Sequence, residues 1–407
     1  MKRAAIAGTS SIAMEEERPW ADLPADLVSR ITSARETMSL VDYTSLRAVC
    51  NPWHSTIPPA TPLIVYTAAG PGLTPYDYSF FSAAFSLPAQ RPLEVRSCLD
   101  SVLTNGRTCV GSGYGWLAVD ERLKNPSHRL VLVNPISGTR IHLPDLRNEA
   151  DRKVKKVVFA PKPSATNFTA VAIFMCCCTW RVAYTRSGDK EWTVLPHEEI
   201  KNTMVDVVYH DDGKVYALTT SCGVRVIHIP SRDEINKTAR VERLLPEENG
   251  SLELDPDVVF AIPRFRLLTY EHRGNNKKYL VFCEGNMYQV WRNLISIRRA
   301  SLFGGLKNTE LKKEIIVLKY DPVSWPCWRE VNDLGGYSVF LGRNNAVSLR
   351  VVGTPWLRAN CVYWIGGHEE EKAMVFDMAT QITTPCVPDR GLEGFKNWAS
   401  CWYFLTK

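Results

Sequence analysis

The chain has 407 residues, 45% hydrophobic and 23% charged; this ordinary globular usage excludes disorder of the whole chain and supplies a core without help from metals or disulfides. At roughly 100 to 200 residues per domain, that length fits two or three domains, or one large all-β domain with a small companion. The net charge of +6 comes from 49 basic and 43 acidic side chains. It is spread over short clusters such as Arg152-Lys153 and Lys155-Lys156, not gathered into the stripe that binds nucleic acid, so no nucleic-acid partner is expected.

The longest apolar run, 170–178, has nine residues, about half of the roughly 18 to 20 a bilayer-spanning helix requires, and no membrane span is expected. The 12 cysteines fall well below the roughly 8 to 10% of a disulfide scaffold. Reduced, mostly buried thiols are therefore expected, and with them a cytoplasmic or nuclear protein.

In chain order, 1–19 read as a disordered leader: Gly8, Thr9, Ser10 and Ser11 interrupt its apolar stretch before a signal-type run can form. An organellar transit peptide is the minor alternative. A small helical module follows over 20–57. Pro24 suits a first helical turn, where its missing N–H has no partner to lose, and Leu27 and Ile31 fall on one face. Ser39-Leu40-Val41-Asp42 has the Ser-x-x-acid form of a helix start. Leu46, Val49, Cys50 and Trp53 recur at i, i+3, i+4, i+7 and predict one apolar stripe. About 40 residues cannot bury such stripes on one another. The stripe therefore either meets another protein or caps the chain's own β domain.

The hydrophobic period changes from about 3.6 to about 2 near residue 58. Seven prolines in 58–92 predict a connector merging into the first short strands. Over 93–407 the pattern is strand, tight turn, strand. Runs at 116–119, 130–133 and 140–143 are followed by 205–209 and 215–218, which flank His210-Asp211-Asp212-Gly213-Lys214, a hairpin signal. Further pairs are 279–283 with 287–291, and 361–365 with 373–377, with 315–320 between. Repeats of about 40 to 50 residues, each a small antiparallel sheet, predict a β-propeller of about six to eight blades. A two-sheet sandwich of this length would be unusually large. The fold class expected is mainly β with a small N-terminal α module.

The ordered set Leu23-Pro24-x-x-Leu27, Ile31, Leu40, Arg47, Val49-Cys50 and Trp53 resembles an F-box. Gly115-Trp116-Leu117, Leu132-Val133-Asn134-Pro135, Ile141-His142-Leu143-Pro144, Phe340-Leu341-Gly342-Arg343-Asn344-Asn345 and Val375-Phe376-Asp377 resemble the C-terminal domain of a large plant F-box family, often called KIB-type. The resemblance covers nearly the whole chain from Trp20, with 150–310 matching only in strand rhythm. It implies a non-catalytic substrate receptor of a ubiquitin ligase. The F-box would dock on a Skp-type adaptor carried by a cullin–RING scaffold, and the propeller would present a target protein whose identity the sequence does not give. Carried over by position, Leu23, Pro24, Leu27, Ile31, Leu40, Leu46, Val49, Cys50 and Trp53 would form or support the adaptor-binding face. One departure is Pro52, which would end the last helix a turn early and turn Trp53 inward.

No phosphate-binding loop, His-Glu-x-x-His pair or Gly-x-Ser-x-Gly elbow occurs. Gly111-Ser112-Gly113-Tyr114-Gly115 reads as a turn, and Cys176-Cys177-Cys178 as a buried strand; no cofactor or metal is expected. Asp211-Asp212-Gly213 is turn chemistry, and Glu369-Glu370-Glu371 a solvated loop tip. Two other readings stay open: a non-ligase scaffold that uses its helical cap internally, and a propeller enzyme acting on sugars, which would need paired carboxylates across a central cleft. Most tryptophans are expected to be structural.

Overall fold

A computed structural model describes residues 20–33, 38–68, 80–95, 107–122, 128–144, 153–176, 179–196, 204–220, 222–231, 238–244, 276–293, 314–324, 327–352, 354–365, 372–387 and 397–405. The expected leader, Cys177-Cys178 and Glu369-Glu370-Glu371 lie outside them.

The helical module has a single 3-10 turn, Trp20–Asp22, and the helices α1 (Ala25–Ser33), α2 (Leu40–Arg47) and α3 (Asn51–Thr56). Pro24 stands just ahead of α1, and its carbonyl accepts the N–H of Leu27 at 3.0 Å and of Val28 at 3.1 Å. Ser39 caps α2 as its motif predicts, its hydroxyl accepting the N–H of Asp42 at 3.0 Å. The single stripe from Leu46 to Trp53 is corrected. α2 stops, Cys50 is extended at φ −161°, and α3 starts with Pro52 in its first turn. Proline opens the last helix here instead of ending it, because first-turn N–H groups have no intrahelical acceptor to lose.

The module is joined to the β domain by β1 (Met38–Ser39), which pairs in parallel with β4 (Arg91–Glu94), Met38 opposite Leu93. Val28, Leu40, Tyr43, Trp53 and Ile57 share one buried cluster with Leu63, Val65, Ala84 and Leu93. Arg91 also donates from its guanidinium to the Thr32 carbonyl. The helices are thus a packed extension of the first blade.

That blade contains β2 (Leu63–Ala68), β3 (Phe80–Ser86) and β4, and its inner edge is supplied by β26 (Asn397–Tyr403), in the order β1-β4-β3-β2-β26. The segment 58–92, read as a connector merging into the first short strands, contributes β2, β3 and the start of β4 to blade one. Its prolines fall outside central strand positions: Pro58, Pro59 and Pro62 precede β2, Pro88 lies in the turn before β4, and Pro92 is in β4 near the sheet edge. Pro71 and Pro75 lie outside the described residues.

Three four-stranded blades follow. They are β5 (Arg107–Gly113), β6 (Trp116–Arg122), β7 (His128–Val133) and β8 (Arg140–His142); β9 (Val154–Phe159), β10 (Thr169–Cys176), β11 (Thr179–Arg186) and β12 (Thr193–Val194); and β13 (Met204–Tyr209), β14 (Val215–Thr219), β15 (Val224–His228) and β16 (Arg240–Arg243). Blade five is β17 (Asn276–Cys283), β18 (Asn286–Asn293), β19 (Ile315–Tyr320) and β20 (Trp328–Glu330). Blade six is irregular. It orders β22 (Val347–Arg350), β21 (Tyr337–Leu341), β23 (Cys361–Ile365), β24 (Ala373–Asp377) and β25 (Ile382–Pro385), with β21 and β23 parallel.

The inner strands β26, β5, β9, β13, β17 and β22 pack on one another in sequence, and β23 returns to β26, so the ring closes as a six-bladed β-propeller. Six lies within the expected range. Strand β10 shows why the apolar run at 170–176 belongs here and not in a bilayer. Ala170, Ala172 and Phe174 pack with blade two, while Val171 and Ile173 pack with blade four. Alternate residues of a strand between two sheets are buried on both faces. Trp116, Trp192, Trp291, Trp328, Trp364 and Trp402 are likewise buried, the structural role expected of most tryptophans.

Candidate functional site

The nine residues assigned to an adaptor face separate into two groups. Leu40 and Trp53 are sealed against their own molecule, so of the two roles given to these residues, forming the face or supporting it, only support is open to them. Trp53 is also fixed by its indole N–H, which donates to the Trp20 carbonyl at 2.9 Å. Leu23, Leu46 and Cys50 are half-buried at the edge of the same cluster. Pro24, Leu27, Ile31 and Val49 are exposed; Leu27 shows 38% of its surface, Ile31 37% and Val49 49%. Trp20 at 59% and Val41 at 36% are also exposed apolar residues of the module, and neither was singled out by the helical spacing.

The exposed residues stand on a braced frame. The Arg47 guanidinium at the end of α2 reaches the carbonyls of Ile57 at 3.0 Å and His54 at 3.2 Å, satisfying the end of α3. The Tyr43 hydroxyl donates to the Pro58 carbonyl at 3.0 Å. Burial pushes the Tyr43 phenol up despite the nearby Arg47 and Arg91.

A second constellation occupies the propeller axis. The loop 342–346 joins β21 to the innermost strand β22, so blade six directs it at the inner strands of blades two and four. The Arg343 guanidinium donates to the Cys109 carbonyl at 3.0 Å. The Asn345 N–H donates to the Ser112 carbonyl at 2.7 Å. The Asn345 side chain accepts the Tyr209 N–H at 2.9 Å and donates to the Tyr209 carbonyl at 2.9 Å. Asn344 is buried and its amide donates to the carbonyls of Phe340 at 3.0 Å and Asn345 at 2.9 Å. Glycine makes room for this packing. A Cβ on Gly111 would stand 1.9 Å from the Val157 carbonyl oxygen, so β5 and β9 approach too closely there for any side chain. The glycine cluster read as a turn is therefore mostly strand, and only Tyr114 and Gly115 form the turn.

Asp206 ties three blades together. Its carboxylate accepts Lys156 Nζ at 2.6 Å and the Leu280 N–H at 2.8 Å, with both side chains of the ion pair buried. Lys155 lies beside this pair with its ammonium 5.5 Å from the centre of the Trp180 ring. Burial lowers Lys155 to about 8, against the attraction of Asp206, and the charge of Lys156 adds to the lowering.

His210-Asp211-Asp212-Gly213-Lys214 is the turn its spacing predicts, with Gly213 at φ +80°. Asp212 receives the Lys214 N–H at 3.0 Å and the Tyr216 hydroxyl at 3.0 Å, and its carboxylate is 2.9 Å from His210 Nδ1. Partial burial raises the Asp212 carboxyl, but these hydrogen bonds outweigh it and the net shift is downward. The His210 ring rests on Phe282, 4.1 Å between centres, so the turn packs blade four on blade five. Among the described residues no cluster of three or more histidines, cysteines and acids could hold a metal ion. No helix among them is long and apolar enough to cross a membrane.

A ring of six antiparallel-rich blades, closed by its own C-terminal strand and filled at one level of its axis by asparagine and arginine, defines a six-bladed β-propeller. The KIB1-4 beta-propeller family matches residues 84–378, and the chain belongs to that family. Phe340-Leu341-Gly342-Arg343-Asn344-Asn345, noted in the sequence for its resemblance, forms the end of β21 and most of the axial loop. Sequence reasoning gave these residues no role; the available signal was a polar Arg-Asn-Asn triplet between two apolar strands. A comparison with curated proteins finds no match. Among solved structures, one of two prolyl endopeptidases is similar at 10% identity and TM-score 0.33, over 79% of this chain and 50% of that one. The chain thus spans about half the length of that enzyme. CoXyl43, a GH43 beta-xylosidase/alpha-arabinofuranosidase from a compost microbial metagenome, is similar at 10% identity and TM-score 0.30, over 85% of this chain and 94% of that one.

Proposed function

We propose that the chain is the substrate-recognition subunit of a Skp–cullin–F-box ubiquitin ligase, its helical module being an F-box and its propeller the receptor for a target protein. The observation that carries this reading is the division of the helical residues. Leu40 and Trp53 anchor the module to blade one, while Leu27, Ile31 and Val49, like Trp20, stay exposed. Exposed aliphatic and indole groups on a braced helical frame suit docking into a partner's apolar groove. The polar, hydrogen-bonded axial loop supports a non-catalytic role, since a glycosidase-type reading needs paired carboxylates facing an open cleft and the Asp206 carboxylate here is held by Lys156 and Leu280.

Co-purification of the full chain with a Skp-type adaptor tests the reading. Leu27→Asp with Ile31→Asp and Val49→Asp is expected to lower adaptor recovery at least tenfold while far-ultraviolet circular dichroism stays unchanged. Undiminished recovery overturns the assigned face. No recovery with the unaltered chain overturns the ligase reading in favour of a scaffold whose helices serve only as a cap, which the burial of Leu40 and Trp53 would suit.

A further inference from the structure

We propose that Cys109 and Cys401 are a disulfide-forming site that locks the closing seam of the propeller. Their sulfurs stand 2.7 Å apart although the residues are separated by 292 positions in the chain. That spacing lies inside the van der Waals separation of unbonded sulfurs, and a small approach would reach the ~2.05 Å of a disulfide. Both thiols are free and fully buried.

Their position gives the bond a consequence. Cys109 is on β5, the inner strand of blade two, and Cys401 is on β26, the C-terminal strand that completes blade one. This is the junction where the last strand of the chain closes the ring. Non-covalent contacts already hold it: the Gly115 N–H donates to the Phe404 carbonyl at 3.0 Å, the Tyr403 hydroxyl donates to the Gly115 carbonyl at 3.1 Å, and the Ser112 hydroxyl donates to the Trp402 carbonyl. The two sulfurs lie within this seam, in the same apolar cluster as Val65, Leu117 and Tyr403.

The chemistry balances with a small-molecule disulfide such as oxidised glutathione. One cysteine thiolate attacks that disulfide, forming a mixed disulfide and releasing one glutathione thiolate. The second cysteine thiolate attacks the mixed disulfide at the protein sulfur, forming the Cys109–Cys401 bond and releasing the second glutathione thiolate. The two glutathione thiolates take up the two protons the cysteines lost. Two electrons pass from the cysteine pair to glutathione disulfide. In the closed ring, burial raises the Cys401 thiol strongly, the neighbouring Cys109 adds to this, and Arg343 opposes it. Exchange therefore proceeds through states in which β26 has lifted, and the bond once made holds the strand down.

The reduced full chain, incubated with oxidised glutathione, blocked with N-ethylmaleimide under denaturing conditions and digested without reductant, is mapped by mass spectrometry. The expected product is one linked peptide pair containing Cys109 and Cys401, abolished by dithiothreitol. The oxidised chain should also unfold at higher urea than the reduced chain, with the difference lost in Cys401→Ser and in Cys109→Ala. Recovery of both cysteines as blocked thiols or glutathione adducts overturns the proposal. So does linkage of either one to a different cysteine; this reading comes from the unaltered chain and does not depend on a variant folding.

Discussion

Asn345 of blade six pairs with both main-chain groups of Tyr209 in blade four, accepting its N–H and donating to its carbonyl, each at 2.9 Å. One amide side chain thus completes the hydrogen bonding of a strand end two blades away. An unpaired buried backbone group costs about 1–3 kcal/mol. Asn345→Leu is therefore expected to destabilise the propeller by about 2–4 kcal/mol, read as a lower urea midpoint with an unchanged slope.

The buried Lys156–Asp206 pair at 2.6 Å gives a second expectation. Removing one partner leaves the other charge buried, so Lys156→Met should cost about 3–5 kcal/mol. Asp206→Asn keeps an oxygen for the Leu280 N–H, and the double variant should lose less than the two single losses added. A double-mutant cycle in urea measures this coupling.

Lys155 should stand out from the other lysines in its reactivity. With its amine lowered to about 8, labelling by an amine-specific reagent should reach half its plateau near that pH, well below the range of exposed lysines. The sign for stability follows from linkage. The folded chain binds fewer protons than the unfolded chain between about 8 and the ordinary 10.5, so this group's contribution rises with pH across that window. Below the window its burial cost is fully present. Lys155→Met should flatten the slope in a pH series of urea midpoints.

The helical module should separate by burial. Trp53→Ala removes a buried indole and the bond to the Trp20 carbonyl, an expected loss of about 3–5 kcal/mol in the stability of the module. Val49→Ala, on the exposed surface, should change stability by less than about 0.5 kcal/mol. Amide hydrogen exchange over 20–57 distinguishes the two.

Gly111→Ala should be among the most damaging small substitutions, because the new Cβ meets backbone at Val157 and not a flexible side chain. Strands β5 and β9 must separate to admit it. The expected outcome is a large drop in soluble yield with a lowered melting temperature.

What the sequence determined by itself was local. The change of period near residue 58, the Ser39 cap, and the hairpin at 210–214 follow from spacing and from residues that favour particular backbone angles, so each was legible. The apolar run at 170–178 was too short for a membrane span, and the two flanking blades bury its described residues 170–174 on both faces. The tertiary structure alone decided the rest. Periodicity marks an apolar face but not what covers it, so Leu40 was indistinguishable from Leu27 and Val49 until blade one was in place. Pro52 read as ending a helix, and only the extended Cys50 showed that it opens one. The pairing of β26 with β2 and the reach of Arg343 and Asn345 to the inner strands, like the count of six blades, rest on residues more than a hundred positions apart. Such contacts depend on the closure of the whole ring, and no short stretch of sequence carries that information.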